Sequence, residues 1–168
     1  MLLALLLGTG VLLATLVTYA MATGLVVHLV AWLIRTGYTG VVFWKNVAVM
    51  TVVMLVTAAA HLIQIALWAL AFLMVGELPT FEAAFYFSAE NYTALGYGDI
   101  ILSERWRLLG PLEAINGLLL FGLSTAVMFA VLSRLIANRL HFQLGHVAGA
   151  AGFQDPGSAA GPPSGAGW

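Results

Sequence analysis

Three stretches without any Asp, Glu, Lys or Arg, namely Met1–Ile34, Asn46–Gly76 and Ala114–Ser133, limit what this chain can fold into more than any other feature. A helix needs about 20 apolar residues to cross the ~30 Å hydrocarbon core of a bilayer. The third stretch fits that length. The first two are longer than one crossing and too short for two crossings with a turn, so each predicts a single long or tilted helix that projects past the hydrocarbon. Gly8, Thr9 and Gly10 leave the start of the first helix open. Composition removes the water-soluble alternative. The chain is 62% hydrophobic and 8% charged, whereas a soluble domain carries roughly 25% charged residues, so lipid must be the solvent for most of it. The first stretch is also too long, and lacks the positively charged start, for a cleaved secretory leader; it reads as a retained helix. No basic run exists to hold nucleic acid. The absence of cysteine excludes disulfide and thiolate chemistry, and the four histidines show no metal-ligand spacing.

The organisation follows from these spans: an N-terminal membrane helix over 1–35, a cytoplasmic loop over 36–45, a core unit over 46–138, and a cytoplasmic extension and tail over 139–168. Arg134–His146 reads as a mildly amphipathic extension. From Val147 onward the chain is mostly Gly, Ala, Pro and Ser, too poor in large apolar groups to offset ordering entropy, which predicts a disordered tail. With three crossings, Arg35, Lys45, Arg134 and Arg139 fall on one side, which the positive-inside tendency makes cytoplasmic. Glu77, Glu82, Glu90, Asp99 and Glu104 fall on the other. The expected topology is a multi-pass cell-membrane protein with the N-terminus outside and the C-terminus inside.

Between the second and third spans, Pro79–Thr93 is rich in aromatic residues. Thr80 suits a helix start, with Glu82 favourable in the first turn. The piece that follows, about 12 residues or roughly 18 Å, is too short to cross and predicts a re-entrant helix. Leu95-Gly96-Tyr97-Gly98 then predicts non-helical backbone, tolerated at membrane depth only when buried in protein or lining water. A dehydrated cation needs rings of oxygens in place of its water, and backbone carbonyls can supply them. Gly96 and Gly98, one residue apart, reach the positive-φ conformations that let successive carbonyls turn to one axis. Tyr97 is expected to point away from that axis and brace against Tyr86 and Phe87. The re-entrant helix ends near Thr93, so its negative dipole end favours a cation.

Thr93-Ala94-Leu95-Gly96-Tyr97-Gly98-Asp99 resembles the potassium-channel signature, usually Thr-Thr-Val-Gly-Tyr-Gly-Asp. Glu90 and Asp99 match the carboxylate pair behind the filter in simple bacterial members. Gly117 and Phe121-Gly122-Leu123 resemble the hinge region of the inner helix. The likeness covers about Asn46–Leu132 and is to the type with two membrane helices and a pore loop, here with an extra N-terminal helix. It implies an all-α membrane protein with three transmembrane helices, a re-entrant pore helix and a filter loop per chain. It also implies a homotetramer in the bilayer, K+ as permeant ligand at the carbonyls of residues 93–98, and no other cofactor. Two positions depart from the pattern. Ala94 removes the hydroxyl ring of the innermost ion site, which predicts weaker binding there, and Leu95 replaces the common Val.

Other residues carry plainer expectations. His28 and His61 lie in apolar helices, where a hydrogen-bonded packing histidine competes with a proton sensor. Glu113 and Asn116 share a helix face, either as a packing pair or as a polar ring. Tyr92 reads as packing. No catalytic constellation is present, so no enzyme is expected. The competing functions are a non-selective cation channel, a potassium-transporter subunit and a non-conducting membrane assembly.

Overall fold

A computed structural model of the chain describes residues 1–36, 38 and 43–151 and contains only helices among them. In chain order these are α1 (Leu2–Arg35), α2 (Phe43–Met74), α3 (Phe81–Tyr92) and α4 (Leu109–Ala151). Leu2–Arg35, Trp44–Met74 and Leu109–Ala137 are each long and apolar enough to cross a membrane. At 34 residues, α1 is ~51 Å long at 1.5 Å per residue, so one crossing leaves it projecting. It runs unbroken through Gly8 and Gly10. Gly8 is a contact point: a Cβ there would lie 2.6 Å from the Leu112 side chain of α4.

The ends of the helices have local causes. Thr36 closes α1 by returning its backbone N–H and its hydroxyl to the Trp32 carbonyl, at 3.0 and 3.1 Å. At the other end of the predicted 36–45 loop, Lys45 sits 4.9 Å over the Tyr38 ring. That loop is shorter than expected, because α2 already begins at Phe43. Gly76, with φ of 74°, ends α2. Its N–H reaches the Leu73 carbonyl at 3.0 Å, and the Glu77 N–H reaches Phe72 at 3.2 Å. This left-handed stop satisfies two terminal carbonyls and suits glycine. The chain then turns back, and the Glu77 carboxylate ties the start of the α2–α3 connection to the α3–α4 connection through the Ser103 N–H at 2.7 Å and hydroxyl at 2.6 Å.

The fourth helix starts five residues earlier than the charge-free stretch at Ala114, and Pro111 sits in its first turn. Proline is tolerated there because first-turn N–H groups lack an intrahelical partner. At its far end α4 continues to Ala151, past the predicted start of the tail at Val147; the expected tail over 152–168 lies outside the described residues.

Two apolar clusters hold the helices together. Tyr19, Ile65, Trp68, Phe72, Phe87, Tyr92 and Leu120 join all four helices. Val26, Val30, Val49, Val53, Val131 and Leu135 join the end of α1, the start of α2 and the middle of α4. Leu6, Leu25, Met54, Leu62, Leu119 and Phe129 remain exposed. That much outward apolar surface suits lipid or further protein rather than water.

Candidate functional site

The predicted short helix forms as α3. Thr80 is extended, with φ −135° and ψ 154°, and its Oγ1 accepts the Ala83 N–H at 3.2 Å, the expected cap. One face of α3 is buried against α2 and α4. Phe87 meets the Phe72 ring edge-on, with 5.0 Å between centroids. Phe87 is thus a core residue that seats α3 on α2. Ser88 donates to the Ile65 carbonyl at 2.8 Å and also bonds the Glu113 carboxyl of α4.

The end of α3 flows directly into the segment of interest. The Ala94 N–H reaches the Asn91 carbonyl at 2.9 Å, and the Leu95 N–H reaches Glu90 at 3.0 Å. This is the same left-handed stop seen at Gly76, but the residue in the glycine position is Ala94, at φ 58°. Gly96 and Gly98 follow at φ 57° and 75°. Positive φ therefore recurs at every second residue over 94–98. The sequence pointed to the two glycines; Ala94 is a third member that its residue type did not announce.

Two carboxylates secure this backbone. Glu90, 4% exposed, accepts the Tyr97 N–H through Oε1. Asp99 accepts the Tyr86 hydroxyl at 3.0 Å and the Ile100 N–H at 3.0 Å. Both predicted supports thus act on the segment, yet through separate partners, and no hydrogen bond joins their carboxyl groups among the described residues. The bond to Asp99 holds the Tyr86 phenol above its ordinary pKa. Thr93 turns its hydroxyl back to the Ala89 carbonyl at 2.7 Å. Residues 93–99 all face outward from the single chain, with Leu95 and Tyr97 at 60% and 70% exposure.

The expected hinge glycines differ from each other. A Cβ on Gly117 would lie 2.0 Å from the Tyr92 carbonyl oxygen, so Gly117 lets α4 pass directly against the end of α3. Around Gly122 a Cβ would meet nothing within 4 Å. The helix is continuous through both.

A protein-family model described as an ion channel matches residues 49–134, about half of the 168-residue chain. The chain belongs to this ion channel family. No curated protein and no solved structure matches it. The matched part of this ion channel opens in α2 and closes in α4, so it contains α3 and residues 93–99, while α1 lies outside it. Membership speaks for moving ions across a membrane rather than for covalent catalysis.

Behind the 93–99 segment the channel buries a polar network that the sequence did not assemble. His61 and Gln64 of α2 meet Tyr92: Nδ1 of His61 lies 2.9 Å from the Tyr92 hydroxyl, which also bonds Gln64 Oε1. On its other edge His61 Nε2 lies 2.9 Å from Ser124 Oγ. His61 is thus a hydrogen-bonded packing histidine, while His28 stays exposed on α1. Asn116 donates to Thr15 Oγ1 of α1 at 2.8 Å, so Glu113 and Asn116 are a packing pair that reaches two different helices. One signal could have exposed the network: Gln64 follows His61 by three residues on a helix that is otherwise almost wholly apolar, which places two polar groups on one face.

Proposed function

We propose that the chain is one of four subunits of a potassium-selective channel, with residues 93–98 as the filter and α3 as its re-entrant pore helix. The observation that carries this reading is the recurrence of positive φ at Ala94, Gly96 and Gly98. In a strand of backbone whose residues alternate between two conformations, successive carbonyls can face one side instead of alternating. Four such strands around an axis make stacked rings of oxygens that replace the hydration shell of K+. Ions shed water at these rings, occupy several of them, and displace one another. Glu90 and Asp99 hold the strand from behind, and the carbonyl end of α3 adds its negative dipole.

A single chain supplies one wall of such a ring, which is the reason for a homotetramer. The outward exposure of residues 93–99 agrees with it, because lipid-exposed irregular backbone is not tolerated at membrane depth. The cations Arg35, Lys45, Arg134 and Arg139 favour a cytoplasmic location for the end where α1 finishes and α2 starts. That orientation places Glu77–Glu104 outside.

The second reading is a non-selective cation channel. It is favoured by Ala94, which supplies a carbonyl but no hydroxyl to the innermost ring. Potassium flux into liposomes containing the purified protein tests both readings together. Flux blocked by barium and abolished by Gly96→Ala or Gly98→Ala is expected for a carbonyl filter. Flux that ignores barium and survives both substitutions contradicts it.

A further inference from the structure

One face of α4 grips a single residue of α3. Gly117 lies against the Tyr92 carbonyl. Phe121 meets the Tyr92 ring edge-on, with 5.5 Å between centroids. Ser124 reaches the Tyr92 hydroxyl through His61. These positions are four and three residues apart, so they form one stripe along the helix. Tyr92 is fully buried and is the last residue of α3, immediately before Thr93.

Donor accounting gives the relay a direction. The Ser124 hydroxyl donates to the Leu120 carbonyl at 2.8 Å, so its oxygen accepts the His61 Nε2–H. His61 Nδ1 is then unprotonated and accepts, so the Tyr92 hydroxyl proton is shared between Nδ1 and Gln64 Oε1, and Gln64 Nε2 in turn lies 3.5 Å from the Thr15 carbonyl of α1. Inside an apolar bundle each of these groups is costly to leave unpaired, and the bonds polarise one another. An axial shift or rotation of α4 therefore cannot leave Tyr92 undisturbed: Ser124 carries the imidazole, and the imidazole carries the phenol.

We propose that His61 is a positioning residue that locks Tyr92 to α4 and so lets α4 set the geometry of the first ion site in the filter. The proposal rests on the filter reading of residues 93–98. It assigns α2 a task beyond packing, because α2 supplies the imidazole that adds a hydrogen-bonded link to the direct contacts of Gly117 and Phe121 with Tyr92.

The test uses full-length protein in liposomes, with reversal potentials in opposed sodium and potassium and with thermal stability measured in parallel. Tyr92→Phe removes one oxygen and keeps the ring. It is expected to raise sodium permeability relative to potassium about fivefold, the scale of one lost hydrogen bond. Ser124→Ala is expected to act in the same direction, and the double variant to exceed the larger single effect very little, because both break one chain of contacts. His61→Asn keeps an amide at the Nδ1 position and is expected to behave as Ser124→Ala. His61→Gln keeps one at the Nε2 position and is expected to behave as Tyr92→Phe. Val53→Ala, in the other apolar cluster, is expected to lower stability with the permeability ratio unchanged. The proposal is overturned if a selective wild type keeps its ratio in Tyr92→Phe and Ser124→Ala. It is equally overturned if Val53→Ala shifts the ratio as much as they do. A wild type without potassium selectivity removes the filter reading itself, and this inference with it.

Discussion

Ala94 sits at φ 58° in the position that ends α3. For a residue with a Cβ this conformation costs roughly 1–2 kcal/mol, and a β-branched side chain meets more crowding than alanine does. Ala94→Gly is expected to make the assembled protein more heat-resistant and Ala94→Thr less so, measured as the temperature at which the oligomer dissociates in detergent; the reverse order would contradict the left-handed stop. Gly117 and Gly122 give a second contrast. At Gly117 the obstacle is the Tyr92 backbone, which cannot rotate away, so Gly117→Ala is expected to destabilise by at least about 1–3 kcal/mol. Gly122→Ala has open space and is expected to stabilise slightly through helix propensity. Equal losses at both positions in a denaturation series would refute this assignment. Tyr86 carries a pH prediction. Its phenol titrates above the ordinary tyrosine value because it bonds the Asp99 carboxylate. A raised pKa means that the contribution is complete below the ordinary value of about 10 and is lost as pH rises through the shifted one. The difference in stability between wild type and Tyr86→Phe is therefore expected to stay constant from about pH 7 to 9 and to shrink only above it. A fall within the neutral range that Tyr86→Phe removes would contradict this.

Elements differ in how plainly the sequence announced them. The interiors of α1, α2 and α4 were legible because absence of charge over membrane length leaves few alternatives. The cap at Thr80 was legible because it rests on one residue type with a well-defined role at helix starts. The start of α4 was legible in Gly110-Pro111, which marks either a helix start or a kink; the proline sits in the first turn, where its missing N–H costs nothing. The far end of α4 was not, because helix propensity continues past the last membrane residues without a stop signal. The site divides the same way. The spacing of Gly96 and Gly98 exposed the segment, whereas the His61–Tyr92–Ser124 relay spans 31 and 63 residues along the chain and depends on helix rotations that no local pattern encodes. Phe87 illustrates the limit. Its neighbour Tyr86 faces the 93–99 segment through Asp99, and one step along a helix turns Phe87 about 100° into the core.

At the scale of the whole molecule, α1 is the addition to the matched ion-channel region. It binds through Thr15 to Asn116 and through Gly8 to the start of α4, contacts made within one chain. Four of the six cations, Arg35, Lys45, Arg134 and Arg139, gather at the end joined by the second apolar cluster, and five of the seven acids fall at the other with Arg105 and Arg107, a polarity that suits a fixed orientation in the bilayer. The central claim is that four copies of the 93–98 backbone select potassium. Its most direct measurement is the reversal potential of the purified protein in a planar bilayer with potassium on one side and sodium on the other. A potential displaced strongly toward the potassium equilibrium value is predicted. A potential near zero, unchanged when the two ions are exchanged, would contradict it.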